Sequence, residues 1–223
     1  MDHIPASFTR TPESAQDAVL IQQKMRDYVR VNDDFGIIKY IAGIDVGYDL
    51  QSNTSKAALV IMDMEKLMPL EIVIATDLTP FPYIPGFLSF REAPVIIKAL
   101  EQVKKKPDLL FIDGQGIAHP RGLGIASHIG VLTGYPSIGV AKSVLCGSYK
   151  EPGVKKGQSE PLIYKNNKIG TALRSRDNVK PLFISPGHKI GHESAVDFVH
   201  RCLTRYRLPE PARIADKLSK FAK

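Results

Sequence analysis

The sequence predicts an α/β fold built around one mixed sheet, and three observations carry this. Three apolar stretches, Ile37 to Gly47, Lys56 to Met64 and Glu71 to Asp77, follow one another across short polar or Pro-containing links with no helix between them, so they should pair as an antiparallel meander. The pattern then changes to helix, strand, helix, strand: Leu88 to Val103, Pro107 to Asp113, Leu123 to Leu132 and Ser137 to Lys142. That alternation belongs to a right-handed parallel unit. Finally, 223 residues with 43% hydrophobic content can bury a substantial core as a single domain spanning residues 1–223.

The elements follow in order. Thr11-Pro12-Glu13 is a helix-start signal, with Thr11 as the cap and Pro12 at the first helical position. Ala18, Ile21, Met25 and Tyr28 come next at helical spacing, which predicts a helix within residues 1–35 laid over the sheet. After the break at Asn32-Asp33-Asp34, the run ending IAGIDVGYD reads as a central strand with Asp45 near its end. Ahead of the long helix, Pro82 and Pro85 stiffen a loop and hold Tyr83 outward, either packed or presented as a wedge. Glu92 opens the amphipathic stripe Ile96, Leu100, Val103, with Pro94 in the first turn or kinking it.

Leu109-Leu110-Phe111-Ile112 is a buried strand that ends in Asp113, and Gly114, Gly116, Gly122 and Gly124 then let backbone approach a ligand. Ser137 to Ala141 delivers Lys142 to the same end of the sheet, where open α/β sheets place their ligand crevice. Beyond it come a polar insertion at Lys150 to Gln158, a hairpin over Ile163 to Gly170 turning at Asn166-Asn167, and a strand at Leu182 to His188. A helix is expected over His192 to Arg205. A last one, within residues 207–223 and after Pro211, should be basic apart from Asp216. The order βββαβαβ with flanking helices and a C-terminal helical extension is that of the ribonuclease H-like fold.

A formal charge of +7 and a pI near 9.3 lean toward a polyanionic partner. No apolar run is long enough to span a bilayer, and the start has no signal-peptide apolar core. Cys146 and Cys202 stand at no metal-binding spacing, so a reduced, cytoplasmic protein is expected.

In this topology the first and fourth strands are neighbours, so Asp45 and Asp113 should face each other. Two such carboxylates repel unless a cation lies between them, which points to Mg²⁺, or Mn²⁺ in its place. Glu92 completes the site directly or through water, Asp216 is either a surface acid or a fourth carboxylate, and Lys142 meets the phosphate. Taken singly, each acid is more often structural. As a set they fit a metal-dependent phosphodiesterase.

The segments IAGIDVGY, PYIPGFLSFRE, FIDGQGIAHPRGLGIASHIG, PSIGVAKSVLCG, PLFISPGH and YRLPEPAR, in this order, resemble the endonuclease V family from about Tyr40 to the C-terminus. The resemblance implies cleavage of the second phosphodiester bond 3′ to a deaminated base, chiefly hypoxanthine in DNA, leaving 3′-hydroxyl and 5′-phosphate. It implies Asp45 and Asp113 as metal ligands, with Glu92, Lys142 and Asp216 also catalytic and Tyr83 as the strand-separating wedge. The base pocket would comprise Gly86, Phe87 and Leu88 with Gly114, His119 and Gly124, although His119 could equally contact phosphate or brace its turn. Some members carry His where Asp216 stands. The expected partner is DNA containing deaminated bases, bound by a monomer. The alternatives are an inosine-specific endoribonuclease and a non-catalytic nucleic-acid-binding protein on the same fold.

Overall fold

The computed structural model describes Pro5 and residues 8–220; the remaining parts of the expected N-terminal and C-terminal segments lie outside the described residues. Helix α1 (Ala15–Arg26) is followed by the meander β1 (Tyr40–Asp49), β2 (Thr54–Asp63) and β3 (Pro69–Leu78). Then come α2 (Leu88–Glu101), β4 (Leu109–Asp113), α3 (Ile125–Thr133) and β5 (Ser137–Ala141), so the order βββαβαβ is present. The chain closes with β6 (Ser159–Tyr164), β7 (Asn167–Leu173), β8 (Leu182–His188), α4 (His192–Arg201) and α5 (Glu210–Ser219). The eight strands form one sheet in the order β3-β2-β1-β4-β5-β8-β7-β6. The pairs β1–β4 and β4–β5 are parallel and the others antiparallel, which puts β1 and β4 side by side as the sequence predicts.

Side-chain alternation divides the core between the two faces of the sheet. Ile41, Val60, Phe111 and Val140 look toward α4 and α5, whereas Ala42, Ile44, Leu59 and Ile112 look toward α2 and α3. On the α5 face, Gly43 and Gly47 flank Asp45 along β1. A Cβ at Gly43 would lie 2.0 Å from the Pro211 carbonyl oxygen, and one at Gly47 would lie 2.1 Å from that of Ser219. Two missing side chains thus let α5 rest on the backbone of the strand that carries the first acid.

Several local expectations shift. The cap of α1 is Ser14 rather than Thr11: its hydroxyl accepts the Asp17 N–H at 3.1 Å, and Pro12 precedes the helix. The buried residues of α1 do not lie over the strands. Ala18, Ile21 and Met25 join Phe81, Phe87, Phe90 and Leu123 in a separate cluster beside the start of α2, while Tyr28 lies past the helix end with its ring edge-on to Phe8. Ile37, 81% exposed, stands outside the sheet, and β1 starts where Asp108 accepts the N–H groups of Lys39 and Tyr40, both at 2.8 Å. Pro94 falls in the interior of α2 rather than its first turn.

The β6–β7 turn is Lys165-Asn166, both at positive φ (48° and 64°), one residue earlier than Asn166-Asn167. The register that buries Leu162 and Ile169 in one cluster fixes it there. Helix α4 stops at Arg201. Helix α5 begins before Pro211, so its first turn holds a second acid, Glu210, paired with Arg213.

Candidate active site

Five polar side chains converge at the carboxyl ends of β4 and β5, level with the middle of β1. Asp45 comes from the second half of β1, Asp113 closes β4, Lys142 follows β5, Glu92 sits in α2 and Asp216 in α5. One carboxylate oxygen from each of Asp45, Asp113 and Asp216 lies within 4.8 Å of the others, a spacing at which three hard oxygen donors can share a cation. Asp45 is oriented by the Ser219 hydroxyl, which donates to its Oδ2 at 2.6 Å from the end of α5. The Lys142 ammonium donates to Asp113 and, at 2.6 Å, to Asp216 Oδ1; Lys220 donates to the other Asp216 oxygen at 2.7 Å.

The fourth acid is held differently. Glu92 is buried beside the triad and its Oε1 accepts the Tyr48 hydroxyl at 2.6 Å. The Arg91 guanidinium stacks 4.0 Å from the Tyr48 ring centre. Glu92 is not a first-turn acid complementing the dipole of α2, because the first turn of that helix holds no acid.

Burial first, and then the charges of Asp45 and Asp113, push the Glu92 carboxyl up to about 8 against the opposing Tyr48 bond. Burial and then Asp45 push Asp113 up to about 6, with Lys142 opposing. Burial also works to raise Asp216, yet its bonds to Lys142 and Lys220 hold it below the usual carboxylate range. For Lys142, burial disfavours the charge, but Asp113 and Asp216 more than offset it and raise the pKa. Such mutual repulsion among acids, with a lysine in their midst, suits a site that takes up further positive charge.

A cavity of about 400 Å³, within the range that holds a small organic ligand, is lined by Asp45, Glu92, Asp113 and Lys142. Gly86, Leu88, Gly114, His119 and Gly124 all line it, and Tyr83, 67% exposed between its two prolines, stands on its wall. Phe87 does not: its ring belongs to the α1 cluster, with the Arg121 guanidinium 4.5 Å above it. Besides lining the cavity, His119 braces its own turn. Its Nε2 lies 3.0 Å from the Gly86 carbonyl oxygen, and its Nδ1 accepts the Arg121 N–H at 3.2 Å. Burial, and then Arg121, hold its pKa down at about 4, so the ring is neutral near pH 7.

Sequence reasoning did not single out Tyr48, Ser219, Gln22 or Arg121, because their importance lies in partners far away along the chain. Only the Gly-x-Asp-x-Gly spacing around Asp45 carried a signal, since two glycines on one face of a strand mark a close approach.

The family model for Endonuclease V matches residues 23–217. An endonuclease V of Rippkaea orientalis is 50% identical over 97% of this chain and 94% of its own length. The crystal structure of endonuclease V from Streptomyces avermitilis superposes with a TM-score of 0.90 at 38% identity, covering 97% of this chain and 94% of that one. The protein from Ciona intestinalis, crystallised with a 23mer DNA containing an inosine followed by a ribo-adenosine, superposes with a TM-score of 0.83 at 30% identity, covering 94% of this chain and 97% of its own. The chain belongs to the endonuclease V family.

Proposed function

We propose that this chain hydrolyses DNA carrying a deaminated base, chiefly deoxyinosine, at the second phosphodiester bond 3′ to the lesion, leaving 3′-hydroxyl and 5′-phosphate. The observation that carries the reading is the juxtaposition of the Asp45–Asp113–Asp216 oxygens with a cavity walled by Gly86 and Leu88. The inosine-containing DNA bound by the Ciona relative supports the substrate class.

The three aspartates fit a divalent cation, Mg²⁺ or Mn²⁺, because all three offer hard oxygen ligands and their mutual repulsion needs a counter-charge. Such an ion, when bound, supplies charge that polarises a phosphodiester oxygen and eases deprotonation of an attacking water. Around it, Lys142 neutralises charge developing on the phosphate, and Glu92, fixed by Tyr48, orients the water. The exposed Tyr83 ring takes the place of a base lifted from the stack, and the lifted base enters the cavity beside Gly114 and Gly124. The protein acts as a monomer in the cytoplasm; among the described residues no helix is long and apolar enough to cross a membrane.

The test is cleavage of end-labelled strands bearing one inosine, in matched DNA and RNA, with Mg²⁺, Mn²⁺ or chelator, alongside Asp113→Asn. A metal-dependent nick one nucleotide beyond the inosine's own 3′ linkage, absent from the variant, is expected, with DNA the faster substrate. Faster cleavage of RNA would make the chain an endoribonuclease. Binding without a nick would make it a binding module.

A further inference from the structure

The Gly86 carbonyl is held by three side chains at once. Gln22 Nε2 donates to it at 2.9 Å, Arg121 Nη2 at 2.8 Å and His119 Nε2 at 3.0 Å. Arg121 Nε also donates to Gln22 Oε1, so both ends of the Gln22 amide are used. Three donors saturate an oxygen that has two lone pairs. Gln22 is fully buried, and it is the one polar side chain among the buried residues of α1. A glutamine on an otherwise apolar buried face calls for a specific reason, because Leu or Met would pack there without any hydrogen-bond requirement.

That reason lies in what the loop offers the cavity. Gly86 has a φ of +83°, and a glycine peptide can rotate between two orientations at little steric cost. In one orientation its carbonyl is engaged by the three donors and is unavailable to a ligand. In the other it would give the cavity wall an acceptor. Beyond Phe87, Leu88 and Ser89 line the cavity and begin α2, so their N–H groups have no intrahelical acceptor. With the carbonyl held back, this stretch of wall presents donors. Hypoxanthine carries an acceptor oxygen at purine position 6, where adenine carries an amino donor.

Resting on the reading above, we propose that Gln22, acting with His119 and Arg121, is a positioning residue for base selection. By clamping the Gly86 carbonyl it leaves N–H donors alone on the stretch of wall that meets purine position 6, and so favours a 6-oxo purine over adenine, the base from which hypoxanthine is formed, whose amino group at that position is itself a donor. Helix α1 thereby acquires a role in specificity although it touches none of the acids.

The experiment compares wild type, Gln22→Met and Arg121→Met on otherwise identical strands carrying inosine or adenosine at the test position. It reads kcat, KM, binding in chelator and Tm. The expected result is a fall of about tenfold in the inosine-to-adenosine ratio of kcat/KM, carried mainly by a raised KM for inosine, as loss of one hydrogen bond to the wall's orientation implies. The ratio of affinities in chelator should fall in step. A lowered Tm with both ratios intact would overturn the proposal and leave Gln22 a packing residue, as would an equal loss on both strands. Should Gln22→Met not fold, Arg121→Met, at a partly exposed position, decides between the same outcomes. Failure of the wild type to cleave inosine strands would instead count against the parent reading.

Discussion

Adding one methyl group at Gly47 should disable the site from behind. Its Cβ would lie 2.1 Å from the Ser219 carbonyl oxygen, whereas ordinary contact begins near 3.4 Å, so the end of α5 must retreat by about 1.3 Å. Ser219 donates to Asp45 at 2.6 Å, and Asp216 sits one turn earlier on the same helix, so the retreat breaks the first bond and widens the three-oxygen group. Overpacking of this kind costs about 1–3 kcal/mol. For a domain of this size that lowers Tm by roughly 2–12 °C. Disturbing residues that orient ligands typically weakens metal binding by about 10- to 100-fold. Gly36→Ala serves as the control, since nothing lies within 4 Å of its would-be Cβ, and the variant should match or slightly exceed wild-type stability. Thermal unfolding in chelator and titration of activity with Mg²⁺ read the two effects separately. A Gly47→Ala protein with wild-type Tm and Mg²⁺ dependence would refute the claim that close approach of α5 builds the site.

Three other variants separate the roles of individual groups. Lys142→Met removes the cation bridging Asp113 and Asp216, so Mg²⁺ affinity by calorimetry should rise while kcat falls by roughly 10²–10³; weaker Mg²⁺ binding would mean that the lysine orders the acids. Glu92→Gln should stabilise the metal-free protein at alkaline pH. Burial pushes the folded carboxyl up to about 8 against 4.5 in the unfolded chain, so the native state holds the extra proton and loses stability as pH rises from 4.5 through 8. The glutamine has no such loss, and the variant's advantage should grow across that window to a few kcal/mol, on the order of 5, while the variant itself no longer cleaves; identical stability-versus-pH curves would rule this out. Tyr83→Ala, at a 67% exposed position, should leave Tm within about 1 °C yet slow cleavage of duplex inosine DNA more than single-stranded, and an equal effect on both would remove the wedge role.

The frame was legible because its signals are local. Apolar runs ending in Asp45 and Asp113, and the change from a meander to helix–strand alternation, fix which strands neighbour one another, and neighbouring strands bring their terminal residues together whatever lies elsewhere. Asp216 could be named only as a candidate. Its arrival depends on α5 lying against β1, and the glycines at 43 and 47 that permit this sit far from it in the chain. Gln22 was opaque for a related reason: a polar residue within a helical stripe ordinarily faces water, and nothing within α1 reveals that its partners are the Gly86 carbonyl, 64 residues on, and Arg121, 99 residues on. Periodicity reports which side of an element is buried, and here it marked Ala18, Ile21 and Met25 correctly. It does not report what that side meets. Helix α1 therefore read as a cover for the sheet, when the structure places it against the loop that walls the cavity. The residues hardest to read are thus those that hold another residue's backbone in place, since such contacts are a property of the assembled fold and leave no spacing in the chain.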